Sequence, residues 1–158
     1  MTYPLSDKIM TMIDQAAELY HRLIIVASST GTGKTQALRD VSKKIHASLI
    51  NVNLELSRRM LDLTERQRTL QLPRILSDIV NLAKTDVILL DNIELLFDAS
   101  LRQDPTRLLQ GLSRNKTIVA AWSGSLMGEN IVYATPDHPE YMRYPIKDFL
   151  VVCQEGTA

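Results

Sequence analysis

Residues Arg22 to Thr35 read RLIIVASSTGTGKT, and the fold turns on them. Leu23, Ile24, Ile25, Val26 and Ala27 form a continuous apolar run, the mark of a strand buried on both faces. A loop of small residues with Gly31 and Gly33 follows, and Lys34 and Thr35 open a helical pattern. Strand, glycine-rich loop, Lys-Thr and helix together make the context of a phosphate-binding P-loop. The residue types follow from the chemistry. Gly31 and Gly33 let the backbone curl so that successive N–H groups of Ser29, Thr30, Gly31, Thr32, Gly33 and Gln36 point at a polyphosphate, with the helix N-terminus adding partial positive charge. Lys34 reaches the outer phosphates of bound ATP, and the Thr35 hydroxyl takes a place on Mg²⁺. The pattern G-x-x-x-x-G-K-S/T calls for glycine at position 28, where this chain has Ser28. Serine serves there if its φ is negative.

Asp86 to Asp91, DVILLD, is the second anchor. An apolar strand ending in a carboxylate is the Walker B pattern, and Asp91 is expected to hold Mg²⁺, usually through its water ligands. Asn92 occupies the position where many such ATPases place a glutamate to polarise water. An amide orients water but accepts no proton. Glu94, two residues on, substitutes if the chain turns helical; otherwise it is a surface acid in a first helical turn. Slow or partner-dependent hydrolysis is the expectation. Ser123, at the tip of the next apolar strand (Thr117 to Trp122), either touches the γ-phosphate or attacking water or is an ordinary turn serine.

The length of 158 residues fits a single domain, large enough for a sheet covered on both faces. Lys+Arg and Asp+Glu balance at 18 each, so no global basic field advertises nucleic acid. The lone Cys153 excludes an internal disulfide, fits a reducing compartment, and reads as packing. With no apolar run of membrane-spanning length and no signal-peptide pattern, a cytoplasmic protein with no membrane contact is expected.

Residues 6–20 read as an amphipathic helix capped by Ser6, with Ile9, Met12, Ile13, Ala16 and Tyr20 inward. A core over 22–123 follows. Its parts are a helix from Lys34 to His46 burying Ala37, Leu38, Val41 and Ile45, and a short strand from Ser48 to Asn53. Asn53 is either at the nucleotide end of that strand or a cap. Between 57 and 74, Arg58, Arg59, Arg66, Arg68 and Arg74 face Asp62 and Glu65. They read as a solvated helical face or as a DNA or subunit contact. Pro73 is expected to open the next helix, and Asp104-Pro105 another. Ile93, Leu95, Leu96 and Phe97 bury a short element. Gly124 to Asn130 reads as a turn before a hairpin arm at Ile131 to Ala134. Thr135 to Pro145 reads as a loop, and a last strand runs over about 149–152.

With these motifs in place, the chain resembles the BrxF family, small P-loop proteins of type 3 BREX phage-defence systems. The carrying stretches are LIIVASSTGTGKT, INVNLELSRR, VILLDNIELLFD, DPTRLLQGLSRNKTIVAAW and HPEYMRYP. The resemblance implies a bacterial ATPase-like component acting beside other BREX defence proteins. More distantly the chain is similar to AAA+ ATPases, whose sites lie between subunits of an oligomer. That likeness implies an α/β fold: a three-layer P-loop NTPase core, a mostly parallel sheet with helices on both faces. It also makes Arg143, in YMRYP, either an arginine finger offered to a neighbouring copy or a surface residue. The chain ends near the last core strand, so the expected fold lacks the AAA+ C-terminal helical lid. Two other functions fit the residues: a nucleotide-dependent scaffold, favoured by Ser28 and Asn92, and a small-molecule kinase, from the G-x-x-G-x-G-K-S/T approximation.

Overall fold

A computed structural model describes residues 4–28, 33–134 and 141–153. Among these, seven strands form one sheet. Its core has the order β2 (Ser48–Asn51), β3 (Val87–Asp91), β4 (Thr117–Met127), β1 (Leu23–Ser28), β7 (Leu150–Cys153). Each neighbouring pair in that core is parallel. All six residues of β1 are buried, because helices cover both faces of the sheet, as purely parallel sheets require. Side chains alternate between two cores. Ile24, Val26, Leu89, Val119, Ala121 and Val152 pack with helices α1 (Leu5–Ala16) and α2 (Lys34–Ile45). Leu23, Ile25, Ala27, Ile88, Leu90, Ile118 and Ala120 pack with α3 (Val52–Arg59), α4 (Glu65–Leu82) and α5 (Pro105–Leu112). This is the expected three-layer, mostly parallel α/β architecture.

Beyond Ser123 the sheet changes character. β4 continues to Met127 and pairs antiparallel with β5 (Asn130–Tyr133), which pairs with β6 (Met142–Pro145). The turn expected from Gly124 to Asn130 is therefore confined to Gly128 and Glu129, with Gly128 at φ 62, a conformation glycine adopts without strain. Position 124, inside this strand, requires glycine because a Cβ there would collide with the Val132 carbonyl oxygen, which accepts a hydrogen bond from Trp122 Nε1 at 3.0 Å. The loop expected over Thr135 to Pro145 is corrected in part. Residues 142–145 are a strand, set by the cross-strand pairs Ile131↔Tyr144 and Tyr133↔Met142, with Pro145 tolerated at the end of an edge strand. Residues 135–140 lie outside the described residues.

Helix boundaries differ where a cap outweighs periodicity. α1 starts on the carbonyl of Pro4, which accepts from Asp7 N and Lys8 N; Ser6 sits buried inside the helix and is not its cap. The helix stops at Ala16, so Tyr20 is exposed, with the Arg114 guanidinium 5.4 Å from its ring centroid. Ile45 is also more exposed than its spacing suggests. The Asn51 side chain accepts from Leu54 N and starts α3 at Val52, shortening the second strand. Thr64 and Gln67 form a capping box that opens α4 at Glu65. Pro73 consequently falls inside α4 instead of opening it. Proline has no N–H to give the carbonyl four residues back, and Gln103 Nε2 donates to that Thr69 carbonyl at 2.9 Å. Asp104 and Pro105 start α5 as expected.

Phe97 stacks on Tyr133 with centroids 3.7 Å apart, and Trp122 and Tyr144 meet edge to face at 5.6 Å. This aromatic cluster fastens the β4–β5–β6 meander to the core. Burial, helped by the Asp104 charge, pushes the Tyr144 phenol from 10.0 up to about 12.

Two outcomes are expected. Gln103→Ala costs about 1 kcal/mol in urea denaturation, and less in a Pro73→Ala background, where the new N–H takes the Thr69 carbonyl. A double-mutant cycle reads the difference. For Tyr144, the raised folded value means its contribution is fully present below pH ~10 and lost as pH rises through ~12. Tyr144→Phe removes that part of the alkaline slope, measured as urea midpoints at about pH 9 and about pH 11.

Candidate functional site

The parallel strands present their carboxyl ends at one edge, where ligands of open α/β sheets bind. β1 ends in Ser28, 1% exposed, whose backbone is not among the positive-φ residues of the described chain. Serine at the place of the pattern's first glycine is therefore unstrained. Ser29, Thr30, Gly31 and Thr32 lie outside the described residues. The chain returns at Gly33, whose φ of 88 lies in the left-handed region and explains glycine there. α2 then begins, and its first-turn N–H groups have no partner within the helix.

Lys34 Nζ donates to the Ser28 carbonyl at 2.9 Å, so the two ends of the loop are tied together. Thr35 Oγ1 donates to Asp91 Oδ2 at 2.6 Å, and Asp91 Oδ1 accepts from Asn92 N at 2.9 Å. Asp91 is 7% exposed, a buried carboxylate with both oxygens hydrogen-bonded. Gln36 turns its side chain along the helix to Asp40.

Asn92 has a φ of 52, and its side chain is exposed. Asparagine tolerates the left-handed region better than most residues, which gives this residue type a backbone reason. The kink sends the chain into a 3-10 turn, Glu94–Phe97. Glu94 Oε1 accepts from Asn53 Nδ2 at 3.2 Å, and Oε2 lies 3.4 Å from the donating Ser123 hydroxyl. Asn53 Oδ1 accepts from Leu95 N at 2.8 Å, and Asn53 N donates to the Asn92 carbonyl at 2.8 Å. One asparagine thus holds the turn by three bonds.

The structure therefore brings Lys34, Thr35, Asp91, Asn53, Glu94 and Ser123 to the same edge. Asn53 sits in the first turn of α3, while the cap itself is Asn51. The N-x-N spacing at the end of the second strand is the sequence signal for this pair, though it does not say which asparagine does which. Arg143 is not brought to this cluster. It is exposed on β6, opposite Val132, with Nε donating to the Tyr141 hydroxyl at 3.2 Å. Arg58 and Arg59 lie on α3, and both pair with Glu55, at 3.3 and 3.5 Å. Arg68 donates to the carbonyls of Met60 and Leu63, both at 3.1 Å, and so caps the turn after α3.

For a metal, no cluster of three or more His, Cys, Asp or Glu occurs among the described residues. The adjacent Thr35 and Asp91 oxygens suit Mg²⁺, which keeps several waters and takes few protein ligands. No helix among the described residues is long and apolar enough to cross a membrane.

No protein-family model and no curated protein sequence matches the chain. Among solved structures, AMPPCP-bound DnaA from Aquifex aeolicus is similar, with a TM-score of 0.42 and 17% identity. The match covers 77% of this chain and 39% of the length of that one.

Replacing Asn53 by Ala removes the acceptor of Leu95 N and a donor to Glu94. A loss of about 1–3 kcal/mol is expected from urea denaturation. A loss below a few tenths of a kcal/mol would show that the turn holds without Asn53.

Proposed function

We propose that this chain binds ATP with Mg²⁺ at the β1–α2 loop and hydrolyses it slowly, with Glu94 as the group that takes the proton of the attacking water. The observation that carries this reading is the convergence of Lys34, the Thr35–Asp91 pair and the Glu94–Ser123 pair at the carboxyl edge of one parallel sheet.

Each role follows from chemistry already on these side chains. Lys34 exchanges the Ser28 carbonyl for a phosphate oxygen, a stronger charge-assisted partner. Thr35 and Asp91 hold the metal, which when bound offsets the charge on the polyphosphate. Both oxygens of Glu94 already accept hydrogen bonds, so it must surrender one of them to engage a water. That cost supports weak turnover by the chain alone and stimulation by a partner. Ser123 lies on β4, the strand between β1, which leads into the loop before Lys34, and β3, which ends in Asp91; this suits it to the γ-phosphate or to the water.

The finer setting extends this proposal. Resemblance to the BrxF family supports a role in a cytoplasmic BREX defence complex. Copies of the chain assemble so that the exposed Arg143 reaches a neighbour's site. Arg58 and Arg59, whose shared partner Glu55 leaves them on the surface, supply a DNA or partner contact.

Nucleotide binding, phosphate release and native mass measured on the same samples test the reading. Lys34→Ala is expected to abolish binding. Glu94→Gln is expected to keep binding and lower release by roughly 10²-fold. Arg143→Ala is expected to lower release in assembled samples alone. Tight binding with no release by the wild type would instead identify a nucleotide-dependent scaffold. Absence of binding by the wild type would overturn the proposal.

A further inference from the structure

Behind the candidate site, on the outer side of the 3-10 turn, a cleft of about 310 Å³ opens between the end of α3, the start of α4 and the segment 95–101. Its floor is apolar: Met60 and Leu101 are 4% and 3% exposed, and Leu95 is half-buried above them. Leu61, 74% exposed, stands at its mouth. Three charged side chains line it, Glu65, Asp98 and Arg68. They are not equivalent. The Arg68 guanidinium is taken up by the Met60 and Leu63 carbonyls, with Nη2 also 3.4 Å from the Leu61 carbonyl. Asp98 accepts from Ser100 N and Oγ through one oxygen, and neither Asp98 nor Glu65 forms an ion pair among the described residues. The cleft therefore offers an outsider an apolar floor and two carboxylates without cationic partners.

We propose that this cleft is a docking site for a segment of a partner protein that inserts one bulky apolar side chain between Met60, Leu95 and Leu101 and sets basic residues beside it against Glu65 and Asp98. The volume accommodates one aromatic or branched side chain and not a second copy's helix. The carboxylates select a cationic flank. Docking bears on the site through one covalent step. Leu95 lines the cleft, its N–H is held by Asn53, and Glu94 precedes it in the chain. A side chain seated against Leu95 shifts the turn that carries Glu94 and strains the bond between Asn53 and Leu95. The consequence for turnover rests on the function proposed above; docking and its effect on Asn53 do not.

The test is a ¹⁵N NMR titration of the nucleotide-free chain with the acetylated, amidated peptide KKFKK. Saturable shifts are expected at the Leu61, Glu65 and Leu95 amides and at the Asn53 side-chain amide. KKAKK is expected to bind at least about tenfold more weakly, since it lacks the buried ring. EEFEE should show a similar loss at low salt; rising salt is expected to narrow the difference between KKFKK and EEFEE and to leave that between KKFKK and KKAKK. Ser57→Trp, at an exposed position of α3 that lines the cleft, fills the mouth and is expected to weaken KKFKK about tenfold, with the melting temperature reporting that the fold is kept. No saturable shift, equal binding of EEFEE, or indifference to Ser57→Trp would overturn the docking site. Shifts around the cleft that leave the Asn53 side chain unmoved would overturn its link to Glu94. All these readouts are taken without nucleotide, so a chain that fails to hydrolyse ATP refutes the proposed function and leaves this test intact.

Discussion

The contact between the Thr35 hydroxyl and the Asp91 carboxylate, 2.6 Å long, sets demands on most of the chain. Thr35 follows β1 and Asp91 ends β3, strands that are not neighbours; β4 lies between them. They can meet only if three strands keep register, Leu23 with Ile118 and Val87 with Thr117, and end at comparable heights. A parallel sheet holds such register only when helices bury both its faces, which accounts for the near-continuous apolar strands and the two alternating cores. The contact also needs α2 to begin at once after Gly33. The left-handed φ of that glycine and the bond from Lys34 to Ser28 bring the helix start to that point.

A second constraint is the backbone at Asn92. In a strand that simply continued, the next side chain would carry the chemistry. Here the left-handed kink turns Asn92 outward and brings Glu94 to Ser123 and Asn53. The amide at position 92 therefore serves the path of the chain, and the acid is displaced by two residues. Asn53 matches that displacement, with its oxygen on a turn N–H and its amide nitrogen on the carboxylate, an assignment its two partners dictate.

What the sequence made legible has a common physical origin. The runs at 23–27, 87–90 and 118–122 are apolar without interruption, and Asp104-Pro105 is a local cap, so each announces itself in a few residues. The hidden features depend on partners distant in sequence. Pro73 reads as a helix start until Gln103, 30 residues on, is seen to satisfy the carbonyl that proline leaves bare. Met142 to Pro145 carries two aromatic or sulfur side chains, an arginine and a proline. It becomes a strand only because Ile131 and Tyr133 stand opposite. In the site, Lys34, Thr35 and Asp91 are legible because spacing along the chain fixes them. The relation of Asn53 to Glu94 spans 41 residues and rests on one φ angle that no pattern records.

The turn from Glu94 to Phe97 is held at both ends. Asn53 bonds its beginning, and at its end Phe97 stacks on Tyr133 and meets Trp122 edge to face at 4.8 Å. Trp122 is in turn the residue before Ser123, so the aromatic cluster fixes both the turn and the hydroxyl that faces Glu94. Buried aromatic packing does not yield by small amounts, because interiors are close-packed. Movement of Glu94 is then left to the weakest links: its own two hydrogen bonds, at 3.2 and 3.4 Å, and the half-buried Leu95 beside it. Ile93, Leu96 and Phe97 are sealed in the core, and Leu95 is the apolar residue of this run that a molecule arriving from outside can press.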